Sequence, residues 1–282
     1  MKLLFWNIRG FGAKGRRSQI IELIKKHHID GVCFQETIKN KFTDRELHSL
    51  CGGMQFWWSW IPATGHLGGI LIGINDFRGE KKWTFSHNVQ LLDKISGASF
   101  DLVNVYGPVQ DCRKGDFLQE LRTLVEECQN AIIIGGDFNL VRSRQEKSTG
   151  AVNERWMNSF NDFIADAELR EVHRAGARFT WSNNQELPIR VVLDRVLISG
   201  EGESLFPLLG IQTITRLGSD HNALLLDSGE TENIRSRVFR FEPSWLLQEG
   251  FWGWLSEKWP LRSKQNILDH WYEVSYKLRK QC

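Results

Sequence analysis

Five short segments of this 282-residue chain set carboxylate, amide or imidazole groups where apolar, strand-like runs end. They are Trp6-Asn7, Gln35-Glu36, Gly135-Gly136-Asp137-Phe138-Asn139, Leu193-Asp194-Arg195 and Ser219-Asp220-His221. Strand ends and the loops that follow them line crevices, so these segments can converge. The gathered groups are Asn7, Glu36, Asp137, Asn139, Asp194, Asp220 and His221. Hard oxygen donors without a thiolate favour Mg²⁺ or Mn²⁺, which keep several waters and take one or two carboxylates plus substrate phosphate oxygens. Zinc is disfavoured.

Each residue also has a structural alternative. Asn7, shortly before Gly10, can shape a turn. Glu36 can cap a following helix or face solvent. Asp137 follows a buried apolar run and needs compensation by a metal, hydrogen bonds or water. Asp194 can pair with Arg195, although neighbouring strand residues point to opposite faces. His221 alone reads as a core or surface histidine, but the adjacent acid and Asp194 favour an oriented, protonated imidazole. Tyr106, before Gly107-Pro108, reads equally as an edge-strand packing residue.

The elements that must position these groups follow from hydrophobic spacing. Strands are predicted at residues 2–8, 31–35, 56–61, 69–74, 83–85, 89–95, 100–106, 131–135, 178–181, 191–198, 211–215 and 223–226. Helices are predicted at 16–26, 116–128 and 155–167. Residues 131–135 form a continuous apolar run, the mark of a buried central strand. Hairpins alternating with single helices predict two mixed sheets flanked by helices. Beyond residue 227 the texture becomes polar and linker-like. A Trp-rich stretch follows, with helices expected around Trp252 and Trp271, and five of the twelve tryptophans fall after residue 244.

Length and 41% hydrophobic residues give ample material for a core and exclude a disordered chain. Lys plus Arg number 36 against 34 Asp plus Glu, so a polyanion site must be local. Candidate loops are Lys14-Gly15-Arg16-Arg17, Arg113-Lys114 and 142–147, which includes Arg144; ordinary solvated loops are the alternative for each. Asn183-Asn184-Gln185 lies where a hairpin could reach a groove. No apolar run approaches the ~20 residues of a membrane helix, and Leu3-Leu4-Phe5-Trp6 is too short for a signal peptide. A soluble, intracellular chain of the nucleus or cytoplasm, without a membrane partner, is expected. Cys33, Cys51, Cys112, Cys128 and Cys282 show no C-x-x-C spacing, so reduced thiols are expected.

In order, the motifs Phe5-Trp6-Asn7-Ile8-Arg9-Gly10, Gln35-Glu36-Thr37, Gly68-Gly69, Asn104-Val105-Tyr106-Gly107-Pro108, the Asp137 and Asn139 segment, Phe179-Thr180-Trp181, Leu193-Asp194-Arg195 and Ser219-Asp220-His221 resemble the endonuclease/exonuclease/phosphatase superfamily. Within it, the Asn-Ile-Arg-Gly opening and the tail Phe239-Arg240-Phe241-Glu242-Pro243-Ser244-Trp245-Leu246 are similar to the apurinic-endonuclease-like domain of plant LINE-type (non-LTR) retrotransposons.

That resemblance implies an α/β fold, a four-layer sandwich of two mixed sheets flanked by helices, over residues 1–227. Residues 228–282 would be a linker and helical extension leading towards a missing downstream region. It implies a Mg²⁺-dependent phosphodiester hydrolase, Mn²⁺ being able to substitute, that nicks one DNA strand and leaves a 3′-hydroxyl. Glu36 and Asp220 would serve the metal. Asp137 would orient or deprotonate the attacking water with Asn139 assisting, Asn7 and His221 would contact the scissile phosphate, Asp194 would hold the imidazole, and Tyr106 would stand near phosphate or leaving group. Arg9, Asn104, Trp181, Arg16 and Arg144 are expected on the DNA. Many apurinic endonucleases carry an acid where this chain has Arg9, which puts a second metal position in doubt. A reverse transcriptase in a longer parent protein is an expected partner. An apurinic-site repair enzyme or small-phosphoester phosphatase stays open within the superfamily, and a catalytically silent nucleic-acid-binding module outside it.

Overall fold

A computed structural model describes residues 1–229 except 14, 52–54, 65–67, 76, 94–95 and 215–217, together with Gly253. Met1–Gly229 is one compact unit. The expectations for Lys14, the 230s and 240s, and the helices around Trp252 and Trp271 lie outside the described residues.

The chain runs β1 (Lys2–Asn7), α1 (Arg16–His27), β2 (Gly31–Gln35), α2 (Asp44–Leu50), β3 (Trp57–Ile61), β4 (Ile70–Ile74), β5 (Gly79–Lys82), β6 (Ser86–Leu92) and β7 (Ser99–Tyr106). It continues through α3 (Asp111–Glu127), β8 (Ala131–Asp137), a 3₁₀ turn (Arg144–Glu146), α4 (Glu154–Asp166), β9 (Arg170–Glu171), β10 (Arg174–Ala175), β11 (Trp181–Ser182) and β12 (Arg190–Val191). β13 (Asp194–Ile198), α5 (Gly200–Leu205), β14 (Gly210–Ile214) and β15 (Ala223–Asp227) complete it. One sheet has the order β10-β14-β15-β1-β2-β4-β3 and the other β5-β6-β7-β8-β13-β9, with β11-β12 a separate hairpin.

Side-chain alternation along the strands builds the layers. In β1, Leu3 and Phe5 enter the core between the sheets with Cys33, Ile72, Leu102, Ile133, Val196 and Leu224. Leu4 and Trp6 point the other way and pack with Ile20 and Ile24 of α1 and Leu47 of α2. On the far side, Ile132, Ile134 and Leu197 meet Phe117 and Leu121 of α3 and Phe160 and Phe163 of α4. Helix, sheet, sheet, helix is the four-layer α/β sandwich.

Several local expectations change. Residues 83–85 are the turn between β5 and β6: Trp83 N–H donates to the Ser86 carbonyl, and the Glu120 carboxylate takes the Thr84 and Phe85 N–H groups that a strand would have paired. The run 191–198 is split at Val192-Leu193, where Thr180 Oγ1 accepts from Leu193 N and Asp194 N. The 178–181 strand shrinks to β11. The third helix begins at Asp111 rather than 116. Helix α2 was not anticipated, although Thr43 and Glu46 form a reciprocal capping box at its start.

Candidate active site

The inter-sheet core turns polar at one end. Continuing the alternation of Phe5, Cys33, Leu102, Ile133 and Val196, the next inward positions are Asn7, Gln35, Asn104 with Tyr106, Asp137, and Asp194. β1, β7 and β8 deliver their C-terminal ends here, and β13 begins here, with Asp194 directly opposite Asp137 in antiparallel register. The same register rule sends Arg195 to the opposite face, where its fully buried guanidinium binds Glu146, Glu171 and the Leu140 and Val192 carbonyls. The local Asp194 and Arg195 pair does not form.

Asp137 is 1% exposed. Its Oδ2 accepts from Asn7 Nδ2 at 2.9 Å and Asn139 Nδ2 at 3.3 Å, and its Oδ1 accepts from Asn139 N at 3.0 Å. Two glycines permit this approach. Gly136 has φ +136°, and a Cβ there would meet the Val105 carbonyl oxygen at 2.3 Å; a Cβ on Gly107 would meet that of Phe138 at 2.1 Å. Asn139 Nδ2 also holds the Gly107 carbonyl at 2.8 Å, tying the loop after Tyr106 to the acid.

His221 Nδ1 lies 2.9 Å from Asp194 Oδ2, and its Nε2 is 3.8 Å from Asp137 Oδ2. Burial pushes the imidazole down, but the Asp194 and then the Asp137 carboxylates outweigh it, so His221 holds its proton above the ordinary histidine value. Burial raises Asp137, Asp194 adds to this, and the His221 cation with the Asn7 and Asn139 hydrogen bonds opposes it; the balance is upward. Tyr106 is driven above the ordinary phenol value, first by burial and then by the Glu36 and Asp137 charges. Glu36 itself takes a left-handed backbone, φ 53°, immediately after β2.

Asp220 is 6% exposed. Its Oδ2 accepts from Trp181 Nε1 at 3.0 Å and forms an ion pair with Arg9. Trp181 is half-buried and its ring sits 6.5 Å from that of His221, so its polar edge is turned to Asp220.

Two expected DNA contacts are corrected. Asn104 is 0% exposed; its Nδ2 donates to the Phe34 carbonyl and its Oδ1 accepts from Gln35 Nε2, so it fastens the two sheets together beneath the site. Arg16 is 3% exposed, its guanidinium stacked 4.8 Å from the Trp6 ring and donating to the Gly218 carbonyl at 3.0 Å. It braces the loop that carries Asp220 and His221. Arg144 is exposed at 73% of its side chain and pairs with Glu154, compatible with a surface contact.

Three supporting residues lay inside the recognised motifs without being singled out. Thr180 anchors the backbone of Asp194. Ser219 Oγ donates to the Asn7 carbonyl and accepts from His221 N. Trp6 Nε1 donates to the His221 carbonyl. The signal that could have found them is adjacency: each sits on, or beside, a motif that another catalytic candidate occupies.

Two sheets whose shared core ends in an acid, amide and imidazole cluster define a four-layer α/β sandwich with a polar site at one pole. The chain belongs to the Endonuclease/Exonuclease/phosphatase family, whose model matches residues 4–221. It is 25% identical over 193 residues to the Transposon TX1 uncharacterized 149 kDa protein of Xenopus laevis; the match covers 64% of this chain and 14% of that protein. Its fold is similar to the AP endonuclease LMAP from Leishmania major, with TM-score 0.64 and 15% identity over 80% of this chain and 86% of the other. It is also similar to the endonuclease domain of TRAS1, a telomere-specific non-LTR retrotransposon, with TM-score 0.60 and 13% identity over 84% of this chain and 99% of the other. Among the described residues, no helix is long and apolar enough to cross a membrane.

Proposed function

We propose that this chain is a Mg²⁺-dependent DNA endonuclease that nicks one strand and leaves a 3′-hydroxyl, serving as the target-cleaving part of a retroelement protein that also holds a reverse transcriptase. The observation that carries this reading is the relay from Asp194 through His221 to Asp137, whose carboxylate is aimed by Asn7 and Asn139. The length of the TX1 protein and the likeness to the TRAS1 domain support the retroelement context.

The donor set suits a hard cation. Glu36, Asp137, Asp220 and the Asn7 amide offer oxygens, whereas Cys33 is sealed in the core with its thiol pushed up by burial. Asp137, Asp194 and His221 also bring ligand atoms within 4.8 Å of one another. Their closeness is accounted for by the Asp194 and His221 hydrogen bond, so we place the ion at Glu36. Bound there, Mg²⁺ would neutralise charge building on the phosphoryl oxygens.

The side chains divide the remaining work. Asp137 takes a proton from the water that attacks phosphorus in line, with Asn139 and Asn7 fixing the carboxylate. The His221 cation, kept charged by Asp194, stabilises the negative charge that develops on the phosphoryl group. The P–O3′ bond breaks, the leaving 3′-oxygen takes a proton from solvent water to become the 3′-hydroxyl, and Tyr106, which keeps its own proton, donates a hydrogen bond beside it. Arg144 and the exposed Arg17 and Arg113 track the backbone without reading bases.

The test is nicking of supercoiled plasmid, with and without abasic sites, in Mg²⁺ or EDTA. Metal-dependent relaxation of intact plasmid that is lost in Asp137→Ala and His221→Ala is expected. Cutting confined to abasic plasmid would replace this reading with repair. Turnover of a soluble phosphoester without DNA cleavage would replace it with a phosphatase, and salt-sensitive DNA binding with wild type and Asp137→Ala equally inert would leave a binding module.

A further inference from the structure

Arg9 occupies an unusual place. Its backbone is left-handed, with φ 46°, two residues beyond Asn7 in the loop that follows β1. Its N–H donates to Asn7 Oδ1 at 3.1 Å, and the next N–H, on Gly10, donates to the Glu36 carbonyl at 2.8 Å. Arg9 is thereby pinned between the amide assigned to the phosphate and the acid assigned to the metal. Its side chain is 60% exposed and ends on the buried Asp220 carboxylate. That carboxylate cannot swing away, because its Oδ2 also receives the Trp181 indole N–H. One guanidinium nitrogen, Nη1, meets Asp220, and the rest of the largely exposed side chain carries further N–H donors.

Charge balance sharpens the point. Among the described residues, four acids gather here: Glu36, Asp137, Asp194 and Asp220. His221 pairs with Asp194 and also faces Asp137, while Asp220 is met by Arg9 and lies in the field of the Arg16 cation. A guanidinium also presents a planar fork of donors that matches phosphate oxygens.

We infer that Arg9 is a built-in second cation of the active site, aimed by Asp220 to take a non-bridging oxygen of the scissile phosphate, so that the chain works with one divalent ion at Glu36. This inference rests on the proposed phosphodiester hydrolysis. It makes Arg9 a catalytic residue and moves Asp220 from metal ligand to positioning residue.

Two measurements on the whole chain test it without relying on turnover. Calorimetric titration with Mn²⁺ alone should give one site in wild type, and Arg9→Asp, which sets an acid beside Asp220, should add a second. Two sites in wild type would overturn the inference. In EDTA, binding of an intact duplex across a salt series should weaken roughly tenfold in Arg9→Ala, with the slope of log affinity against log salt shallower by about one; Arg9→Lys should restore the slope. An unchanged affinity and slope in Arg9→Ala would show an ordinary surface ion pair and overturn the inference. Asp220→Asn should keep the salt slope while lowering kcat. The thermal midpoint of each variant reports whether it has folded, and the solvent-exposed Arg9 side chain makes its substitutions the tolerant ones. If wild type cleaves no phosphodiester yet the Arg9 slope and the single Mn²⁺ site are both present, the proposed function fails while the Arg9 phosphate site stands.

Discussion

Asp137 and Asp194 stand opposite each other on antiparallel β8 and β13, and His221 is hydrogen-bonded to one while its free nitrogen is aimed at the other. Two buried carboxylates on facing strands repel. The imidazolium between them is what makes the pairing tolerable, and the pair in turn is what keeps the imidazole charged.

Replacing Asp194 by Asn removes the largest of the three charges, ahead of Asp137 and Asp220, that hold the proton on His221 against burial, so the imidazole should release it at lower pH than in wild type. Activity should drop roughly a hundredfold or more at neutral pH, and the alkaline limb of the pH–rate profile should move to lower pH. Because the folded-state value in wild type is raised, the stability His221 contributes is complete below about pH 6.5 and fades as pH rises through the folded value. Thermal midpoints across pH should show that alkaline loss in wild type and not in Asp194→Asn. A profile unchanged by the substitution would contradict the relay.

Glu36→Gln keeps shape and removes one charge from the proposed metal position. Nicking should need at least roughly ten times more Mg²⁺ for half-maximal rate, a cost of about 1.4 kcal/mol, while duplex affinity in EDTA should stay the same or rise. Titrating Mg²⁺ against initial nicking rate checks it, and an unshifted requirement would place the ion elsewhere.

Arg16 and Arg144 separate buried from surface cations. Arg16→Ala should lower thermal stability, since it opens space beside Trp6 and frees the Gly218 carbonyl, yet leave the salt slope of DNA binding unchanged. Arg144→Ala should do the reverse, leaving the midpoint and making the slope shallower by about one. Exchanged behaviour would mean that Arg16 reaches the DNA after all.

Arg195 is 1% exposed between Glu146 and Glu171. Arg195→Met strands both acids and should cost about 3 kcal/mol, read by denaturant unfolding. Glu171 is held below the ordinary carboxylate value because Arg195, then Arg142, outweighs the cost of burying it. A depressed acid contributes above its unfolded value of about 4.3 and loses that contribution as pH falls. Wild type should therefore lose stability on acidification more steeply than Arg195→Met, and parallel curves would count against the network.

The legible part of this molecule was the part with strong local signal. The apolar run Ala131–Gly135 followed by Gly136-Asp137 announces a buried strand ending in an acid, and the five motif segments do meet at one pole. Alternation told correctly that Asp194 and Arg195 face apart. What escaped was tertiary. Nothing local says that the Arg16 guanidinium folds back onto Trp6, or that Asn104 spends its amide on Gln35 and Phe34 between the sheets. The turn at 83–85 looks like a strand because its aromatic residues pack beneath α3, with Glu120 taking the backbone N–H groups. The capping box at Thr43 is legible in the sequence, but helix α2 is only 7 residues long, too short for an apolar repeat to mark it as a helix.

β1 and β15 run antiparallel with Lys2 opposite Asp227, and Ser228 N donates to the Met1 carbonyl at 2.9 Å. Asn7 and His221 mark the other end of these two strands, a strand length of about 20 Å away. Entry and exit of the folded unit therefore share one anchorage, at the pole remote from the chemistry. Such a unit can be carried in a longer polypeptide as a side loop whose two ends meet at a single point.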